Sequence, residues 1–402
     1  MAVRIPEGRQ MIIDRVRPVG TERVPLEKAY GRILAEEIKA AEDVPAFDRS
    51  PYDGYAFRSA DVKEATKDHP VILKVIDNIP AGDIAKIPLK KGEAVRLMTG
   101  APIPEGADAV RKYEETDFTE TEVKIFCPAN AGENIIYTGE DVKKGTILAQ
   151  SGMKIDSGLM GTLAGQNIPE PLVFRKLKVG IVITGSELVP VGTIPGPGMI
   201  INTNQYTLTG AVEEFGYTPV SYGIIPDDLE EIKKALRQAV KECDVVLATG
   251  GAAVGDYDLT PLAMEEIGTE ILFRNVKMKP GKACAYGIAN GKLICGLSGH
   301  PSSSLLNLLV VGLPGIRKIS GQKDYSHKEI EMEVMGGYEK SSDTDRAVRG
   351  KFFIENGTAK INISAPQGNV VISGTIGTDS IVMIPAGSEP VKEGTILKGF
   401  MI

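Results

Sequence analysis

The spacing of apolar positions changes several times along the chain, and each change predicts a different kind of structure. Between Leu26 and Ala40 the run LEKAYGRILAEEIKA puts Leu26, Ala29, Tyr30, Ile33, Leu34 and Ile38 near a helical repeat, which predicts a helical N-terminal region. From Val44 to about Ala149 the texture becomes short β-like pieces (VILKVID, EAVRLMTG, EVKIFCP, GTILAQ) cut by Pro, Gly and Asp. Turn signals of that density predict a β-rich domain. A short helical connector is expected over Ile155 to Gly165. Beyond PEPLVFRKL, buried-strand runs (KVGIVITG, YTPVSYGII, CDVVLATGG, ACAYGI, GKLICGL) alternate with helical windows at Asn204 to Phe215, Asp228 to Lys241, Leu259 to Ile267 and Ser302 to Ile319. That alternation predicts βαβ units around a mainly parallel sheet. From about Glu329 the strands KEIEMEV, GKFFIEN, AKINIS, NVVISG, DSIVMIPAG and GTILKGFMI predict a small all-β C-terminal domain.

The expected fold class is therefore α/β plus β. The divisions fall at 1–44 with 146–176 (helical and linker), 45–145 (β-rich), 177–325 (α/β) and 328–402 (C-terminal β). Composition narrows the function classes. A net charge of −7 and 5% aromatic residues with no Trp speak against a nucleic-acid partner, which favours a basic face and stacking platforms. The N-terminus lacks the apolar core of a signal peptide, and the stretch from Leu305 to Ile316 is broken by Asn307, Gly312 and Pro314. A cytoplasmic protein with no membrane partner is expected. Cys127, Cys243, Cys284 and Cys295 are far apart and flanked by apolar sequence, so all four are expected as buried small hydrophobes.

In an open parallel sheet, ligands sit beyond the carboxyl ends of the strands. Four such ends carry candidate chemistry: Thr184-Gly185-Ser186-Glu187, Pro226-Asp227-Asp228, the segment from Ala252 to Asp258, and Ser298-Gly299-His300-Pro301-Ser302-Ser303-Ser304. Gly250, Gly251 and Gly255 let backbone N–H groups approach a phosphate, and Ser302 to Ser304 open a helix. Lys279 and Lys282, in KPGK, supply point charges for a phosphate or another oxyanion. Glu187, Asp227, Asp228, Asp256 and Asp258 are too many carboxylates to face an anion unaided, which implies a hard cation such as Mg²⁺. Helix caps and turns use the same residue types, so any single edge also reads as ordinary local structure. In the β-rich part, Asp53-Gly54 reads as a tight turn exposing its carboxylate, with Thr99 in the MTGAP loop and Asp141 in a second acidic turn. His69 and His327 lie in polar stretches and are expected at the surface.

The motifs FDRSPYDGYA, TGAPIPEGADAV, YTGEDV, TGSEL, IINTN, GIIPDD, TGGAAVGDYD, KMKPGK and GLSGHPSSSL stand in one order along nearly the whole chain. In that order the sequence resembles the molybdopterin molybdenumtransferases, the family that includes bacterial and archaeal MoeA and the E domain of gephyrin. The resemblance implies an elongated multidomain subunit and a homodimer with its active site between subunits. It also implies the reaction: adenylylated molybdopterin and molybdate (or tungstate) as substrates, Mg²⁺ as cofactor and AMP as product. The family's acidic site residues correspond to Asp53, Asp141, Glu187, Asp227 and Asp258, with Glu187, Asp227, Asp228 and Asp258 the candidate metal ligands. Thr99, Lys279 and Lys282 fall in its ligand-binding motifs. The loops bearing Thr184, Gly185, Ser186, Gly250, Gly251, Gly255, Asp256 and Ser298 to Ser303 match those that hold the pterin nucleotide, and His300 stands where the family has Asn. Arg49-Ser50-Pro51-Tyr52 and Ala252-Ala253 also depart from the family pattern. A molybdopterin adenylyltransferase is a possible protein partner by the same resemblance. Two other readings stay open: that adenylyltransferase activity itself, and a non-catalytic molybdopterin carrier or sensor.

Overall fold

In the computed structural model, which describes residues 2–250, 259–341, 343–363 and 366–402, the chain opens with helix α1 (Ile5–Arg15). Pro6 sits in its first turn, and Glu7 Oε2 accepts from the Arg4 backbone N–H at 2.9 Å. The chain then divides into two compact units, Glu37–Gln150 with Gly158–Pro169, and Met1–Glu36 with Ser151–Ser157 and Glu170–Ile402.

The helix expected over Leu26 to Ala40 is absent. Only Leu26–Lys28 makes a 3₁₀ turn, and Gly31 then takes φ +75°, which ends any helix. The chain runs on extended, with Leu34 N–H bonded to the Met153 carbonyl and Ala35 N–H to the Leu172 carbonyl. Leu34 is buried there while Tyr30 stays 69% exposed, so tertiary pairing overrides the helical spacing.

The smaller unit is built on a six-stranded sheet of β1 (Gly54–Phe57), β2 (Val71–Ile79), β3 (Glu93–Leu97), β4 (Ala109–Lys112), β5 (Thr116–Phe118) and β6 (Glu122–Ile125), in the order β4-β1-β3-β2-β6-β5. Period-two alternation sends Tyr55 and Phe57 into one core and Ala56 into another, so β1 is buried on both faces. Gly54 is therefore the first residue of a central strand and not half of a tight turn. A Cβ there would lie 2.1 Å from the Arg111 carbonyl oxygen. Helix α2 (Ser157–Gly165) also belongs to this unit, apart from its first residue.

The α/β part of the larger unit contains β7 (Lys178–Thr184), α3 (Asn204–Glu214), β8 (Thr218–Ile225), α4 (Leu229–Glu242), β9 (Val245–Thr249), α5 (Leu259–Glu266), β10 (Glu270–Arg274), β11 (Cys284–Ala289), β12 (Lys292–Leu297), α6 (Pro301–Asn307) and α7 (Leu313–Ile319). The sheet order is β8-β7-β9-β12-β11-β10. The first four strands pair in parallel, and β11 runs antiparallel to both its neighbours. Val179, Ile181, Val245, Leu247 and Leu293 face α1, α3, α6 and α7, while Val182, Val246, Ala248 and Ile294 face α4 and α5. Helix α4 shows why it forms: Ile232, Ala235, Leu236, Ala239 and Val240 make one apolar stripe, and Asp228 caps it by accepting from Glu231 N–H at 3.0 Å. Between α6 and α7 the helix widens into a π turn, Leu308–Gly312.

The C-terminal strands β13 (Ile330–Met335), β14 (Asp345–Glu355), β15 (Thr358–Asn362), β16 (Ser380–Ile384) and β17 (Ile396–Met401) follow the order β14-β15-β13-β17-β16, and β16 pairs back to β14, closing a small barrel. The expected strand NVVISG is not one. Val370 is 65% exposed and Ser373–Thr375 forms a 3₁₀ turn. Among the cysteines, Cys127 is exposed in the loop after β6, against expectation, while Cys243, Cys284 and Cys295 are buried. Among the described residues no helix is long and apolar enough to cross a membrane.

His327 is not a surface residue. Its ring stacks on Phe400 with centroids 3.8 Å apart, and both ring nitrogens are buried without a hydrogen-bond partner among the described residues. Burial, reinforced by Arg9 and Arg317 and only partly offset by the nearby Leu309 and Val310 carbonyls, pushes its pKa down to about 3. The folded state therefore binds this proton less readily than the unfolded chain, whose histidine titrates near 6.5. Stability is full above that value and falls as the pH is lowered from about 6.5 toward 3. At pH 5 the loss attributable to this residue is about 2 kcal/mol. Denaturant titrations of wild type and His327→Phe at pH 7.5 and pH 5 should show a smaller acid-induced loss in the variant.

Candidate functional site

The carboxyl ends of β7, β8, β9 and β12 bring their loops to one edge of the sheet. The first loop is tied to the second by a reciprocal pair: Ser186 N–H donates to Asp227 Oδ2 at 2.9 Å, and Asp227 N–H donates to Ser186 Oγ at 3.0 Å. Thr184 Oγ donates to the Thr249 carbonyl at 3.2 Å, which fixes the first loop against the third. Gly250 takes φ +103° with its Cα against Thr184. A Cβ there would lie 2.2 Å from the Thr184 carbonyl oxygen, so only glycine fits. Buried Thr260 and Asn204 complete the scaffold. Thr260 Oγ1 donates to the Gly250 carbonyl at 2.7 Å and Asn204 Nδ2 to the Gly299 carbonyl at 2.7 Å.

These loops enclose a cleft of about 470 Å³ lined by Thr184, Gly185, Glu187, Asn202, Asn204, Asp227, Gly250 and the segment Ser298 to Pro301. A second cleft of about 450 Å³ is lined by Lys279, Lys282, Ser303, Asp343, Thr344 and Asn369. Ser298 and His300 line both, so the two share a wall. His300 Nδ1 lies 3.5 Å from Ser298 Oγ, and the His300 N–H donates to the same oxygen at 3.3 Å. The lysines are exposed and form no ion pair among the described residues, although Asp343 lines the same cleft.

Most of the sequence-predicted residues of the α/β part gather here, with four qualifications, the first being that Ser186 lines neither cleft and its Oγ accepts from Asp227 N–H. Asp228 spends its carboxylate capping α4 and does not line the cleft. Ser302 turns inward: it is fully buried and accepts from the Arg349 guanidinium. Gly251, Gly255, Asp256 and Asp258 lie outside the described residues, as do Ala252 and Ala253. The two carboxylates that do line the first cleft, Glu187 and Asp227, are hard oxygen donors. Mg²⁺ uses one or two protein carboxylates together with waters and substrate phosphates, so this donor set fits that ion. Among the described residues no group of three His, Cys, Asp or Glu side chains is placed to hold a metal ion.

Asp53, Thr99 and Asp141 belong to the smaller unit. Asp53 Oδ1 accepts from the Thr99 backbone N–H at 2.6 Å and from its hydroxyl at 2.8 Å, and these two bonds hold the exposed carboxyl below the usual carboxylate range. Oδ2 remains available. At the departing segment Arg49 to Tyr52, Ser50 Oγ donates to the Tyr52 carbonyl at 2.6 Å, and Lys112 Nζ sits 4.0 Å from the Tyr52 ring centroid. Asp141 is exposed and joins the fold through its backbone, its N–H bonded to the Val44 carbonyl at 3.0 Å.

The sequence reading missed Arg349, on β14 of the barrel. It is 1% exposed, its Nη1 donates to Ser302 Oγ, its Nη2 reaches the Pro366 carbonyl at 3.4 Å, and its Nε has no partner among the described residues. Burial lowers its pKa, and no acidic group among the described residues offsets that. No local pattern could have revealed it, because Ser302 and Arg349 are 47 residues apart.

Helices on both faces of a mainly parallel sheet, with polar glycine-bearing loops gathered at its carboxyl edge, define a small-molecule-binding α/β protein with added β domains. The comparisons with known proteins sharpen that class. Residues 180–318 match the family described as probable molybdopterin binding domain, and residues 3–166 match the MoeA N-terminal region, domains I and II. A molybdopterin molybdenumtransferase of Staphylococcus epidermidis is 33% identical over 395 residues, covering 98% of this chain and 94% of that one. One from Staphylococcus aureus is 33% identical over 392 residues with the same coverage. The crystal structure of the molybdopterin biosynthesis moeA protein from Pyrococcus horikoshii matches with a TM-score of 0.86 at 31% identity, over 100% of both chains. The chain belongs to the molybdopterin molybdenumtransferase family, a family of enzymes.

Ser302→Ala removes the side-chain acceptor of a buried guanidinium and leaves a charged donor unpaired, which costs about 1–3 kcal/mol. Urea denaturation should show that loss, against less than about 0.5 kcal/mol for an exposed serine such as Ser326 replaced in the same way.

Proposed function

We propose that this chain inserts molybdenum from molybdate, or tungsten from tungstate, into adenylylated molybdopterin with release of AMP, in a Mg²⁺-dependent reaction of molybdenum-cofactor biosynthesis. The observation that carries the reading is the shared wall of the two clefts. Polar loops and two carboxylates line one side, and two lysines with no ion pair among the described residues line the other, beside Asp343. A pterin nucleotide needs polar loops that approach its phosphates, and a tetrahedral oxyanion needs cations that have no other partner. The resemblance to the family along the whole chain supplies the chemical identity of both.

Within this reading, Thr184 to Ser186, Gly250 and Ser298 to Pro301 bind the nucleotide. Lys279 and Lys282 hold the oxyanion through charge-assisted hydrogen bonds. Glu187 and Asp227 hold Mg²⁺, whose contribution when bound is to neutralise charge on the pyrophosphate. Ser186 fixes Asp227 from both directions, which keeps one carboxylate oxygen oriented before ligand arrives. Gly251, Gly255, Asp256 and Asp258 are assigned to the same nucleotide and metal shell by resemblance. The protein works as a cytoplasmic homodimer, in which Asp53, Thr99 and Asp141 of one copy join the cleft of the other. Thr99 orients Asp53 with its hydroxyl and keeps it ionised.

The test is AMP release from adenylylated molybdopterin and Mg²⁺, with oxyanion added or withheld. The expected result is release that depends on the oxyanion. Glu187→Gln and Asp227→Asn should each lower kcat at least about a hundredfold. Lys279→Ala should raise KM for molybdate about tenfold and change KM for the nucleotide less. Tight nucleotide binding with no AMP release under any condition would overturn catalysis and make the chain a molybdopterin carrier.

A further inference from the structure

Asn307, the last residue of α6, is fully buried, and the Cys284 thiol lies beside it. Its Nδ2 donates to the Gly281 carbonyl at 2.6 Å, and its Oδ1 accepts from the Tyr286 hydroxyl at 2.7 Å. Tyr286, on β11, is itself fully buried and stacks on Phe273 with centroids 5.0 Å apart. Gly281 is the middle of Lys279-Pro280-Gly281-Lys282. A Cβ on it would meet the Ser303 carbonyl at 3.2 Å and the Asn307 Cβ at 3.3 Å, so the loop lies directly on α6. The π turn that begins at Leu308 brings Gly312 beneath the Tyr286 hydroxyl, where a Cβ would come within 3.0 Å of that oxygen.

A buried amide and a buried phenol are costly unless both are paired, and an apolar pair of the same size would fill the space equally well. What the polar pair adds is a donor aimed at one backbone carbonyl. The loop's ends are anchored separately: Lys279 pairs with Arg346 of β14, and the Lys282 carbonyl accepts from Val276 N–H at 3.0 Å. Among the described residues Asn307 is the side chain that donates to the Gly281 carbonyl between them. The tyrosine hydroxyl settles the direction, because by donating to Oδ1 it turns Nδ2 toward Gly281.

We propose that Asn307, oriented by the Tyr286 hydroxyl, is a positioning residue that fixes the Lys279–Lys282 loop so that both ammonium groups face one bound oxyanion. This rests on the reading of the two lysines as oxyanion ligands, and the test separates the two claims. Molybdate binding is measured by titration calorimetry on the full chain as wild type, Asn307→Ala, Lys279→Ala/Lys282→Ala and the triple variant, with thermal midpoints recorded alongside. The expected result is that Asn307→Ala weakens binding about tenfold in the wild-type background. In the chain lacking the lysines the same change should have no effect beyond about twofold, because a positioning residue acts only through the groups it positions. Tyr286→Phe keeps the ring and should weaken binding several-fold in the same pattern; it carries the cycle if Asn307→Ala does not fold. An equal loss in both backgrounds, or no loss in either, overturns the positioning role while leaving the lysines' role intact. Molybdate affinity unchanged by removing the lysines overturns the underlying reading and the proposal with it.

Discussion

Buried polar side chains that have to be hydrogen-bonded hold the functional edge of the sheet in place. Thr184, Thr260, Asn204 and Asn307 are all buried, and each donates to a backbone carbonyl of a loop or strand end at that edge: Thr249, Gly250, Gly299 and Gly281. Loops rich in glycine are entropically expensive to order, and the parallel strands beneath them end before the ligand positions begin. The four donors extend the order of the sheet outward into those loops. A buried donor that loses its acceptor costs more than the bond itself is worth, so the arrangement resists partial loosening.

The barrel contributes to the same edge from outside the α/β part. Met278–Lys279 pairs in parallel with β14, and Arg349 on that strand reaches Ser302 at the start of α6. Both the lysine loop and the Ser302 segment are therefore tied to one strand of a closed β structure. Pairing with β15 and β16 along its length makes β14 a common anchor for both.

Much of this could be read from the sequence. The alternation of buried strands with helical windows was enough to place the α/β part, because a strand such as β7 is apolar throughout and a helix such as α4 carries an unmistakable stripe. The loops at the strand ends were identifiable from their glycines, hydroxyls and acids. What escaped depends on contacts between residues far apart in the chain. The Leu26 to Ala40 segment has helical spacing but pairs with residues near Met153 and Leu172. His327 sits in a polar stretch yet packs on Phe400, at the other end of the barrel sequence. Asp228 looked like a metal ligand because caps and ligands use the same side chain, and its neighbour Asp227 is the one that faces the cleft.

The central claim is that the pterin nucleotide sits on the edge loops of the parallel sheet. Hydrogen–deuterium exchange of the full chain, with and without saturating adenylylated molybdopterin and Mg²⁺, tests it most directly. The account predicts slowed exchange in peptides covering Thr184 to Glu187 and Ser298 to Ser304, with the outer faces of α4 and α5 unchanged. Protection confined to peptides away from that edge, with those two segments unaffected, would contradict it.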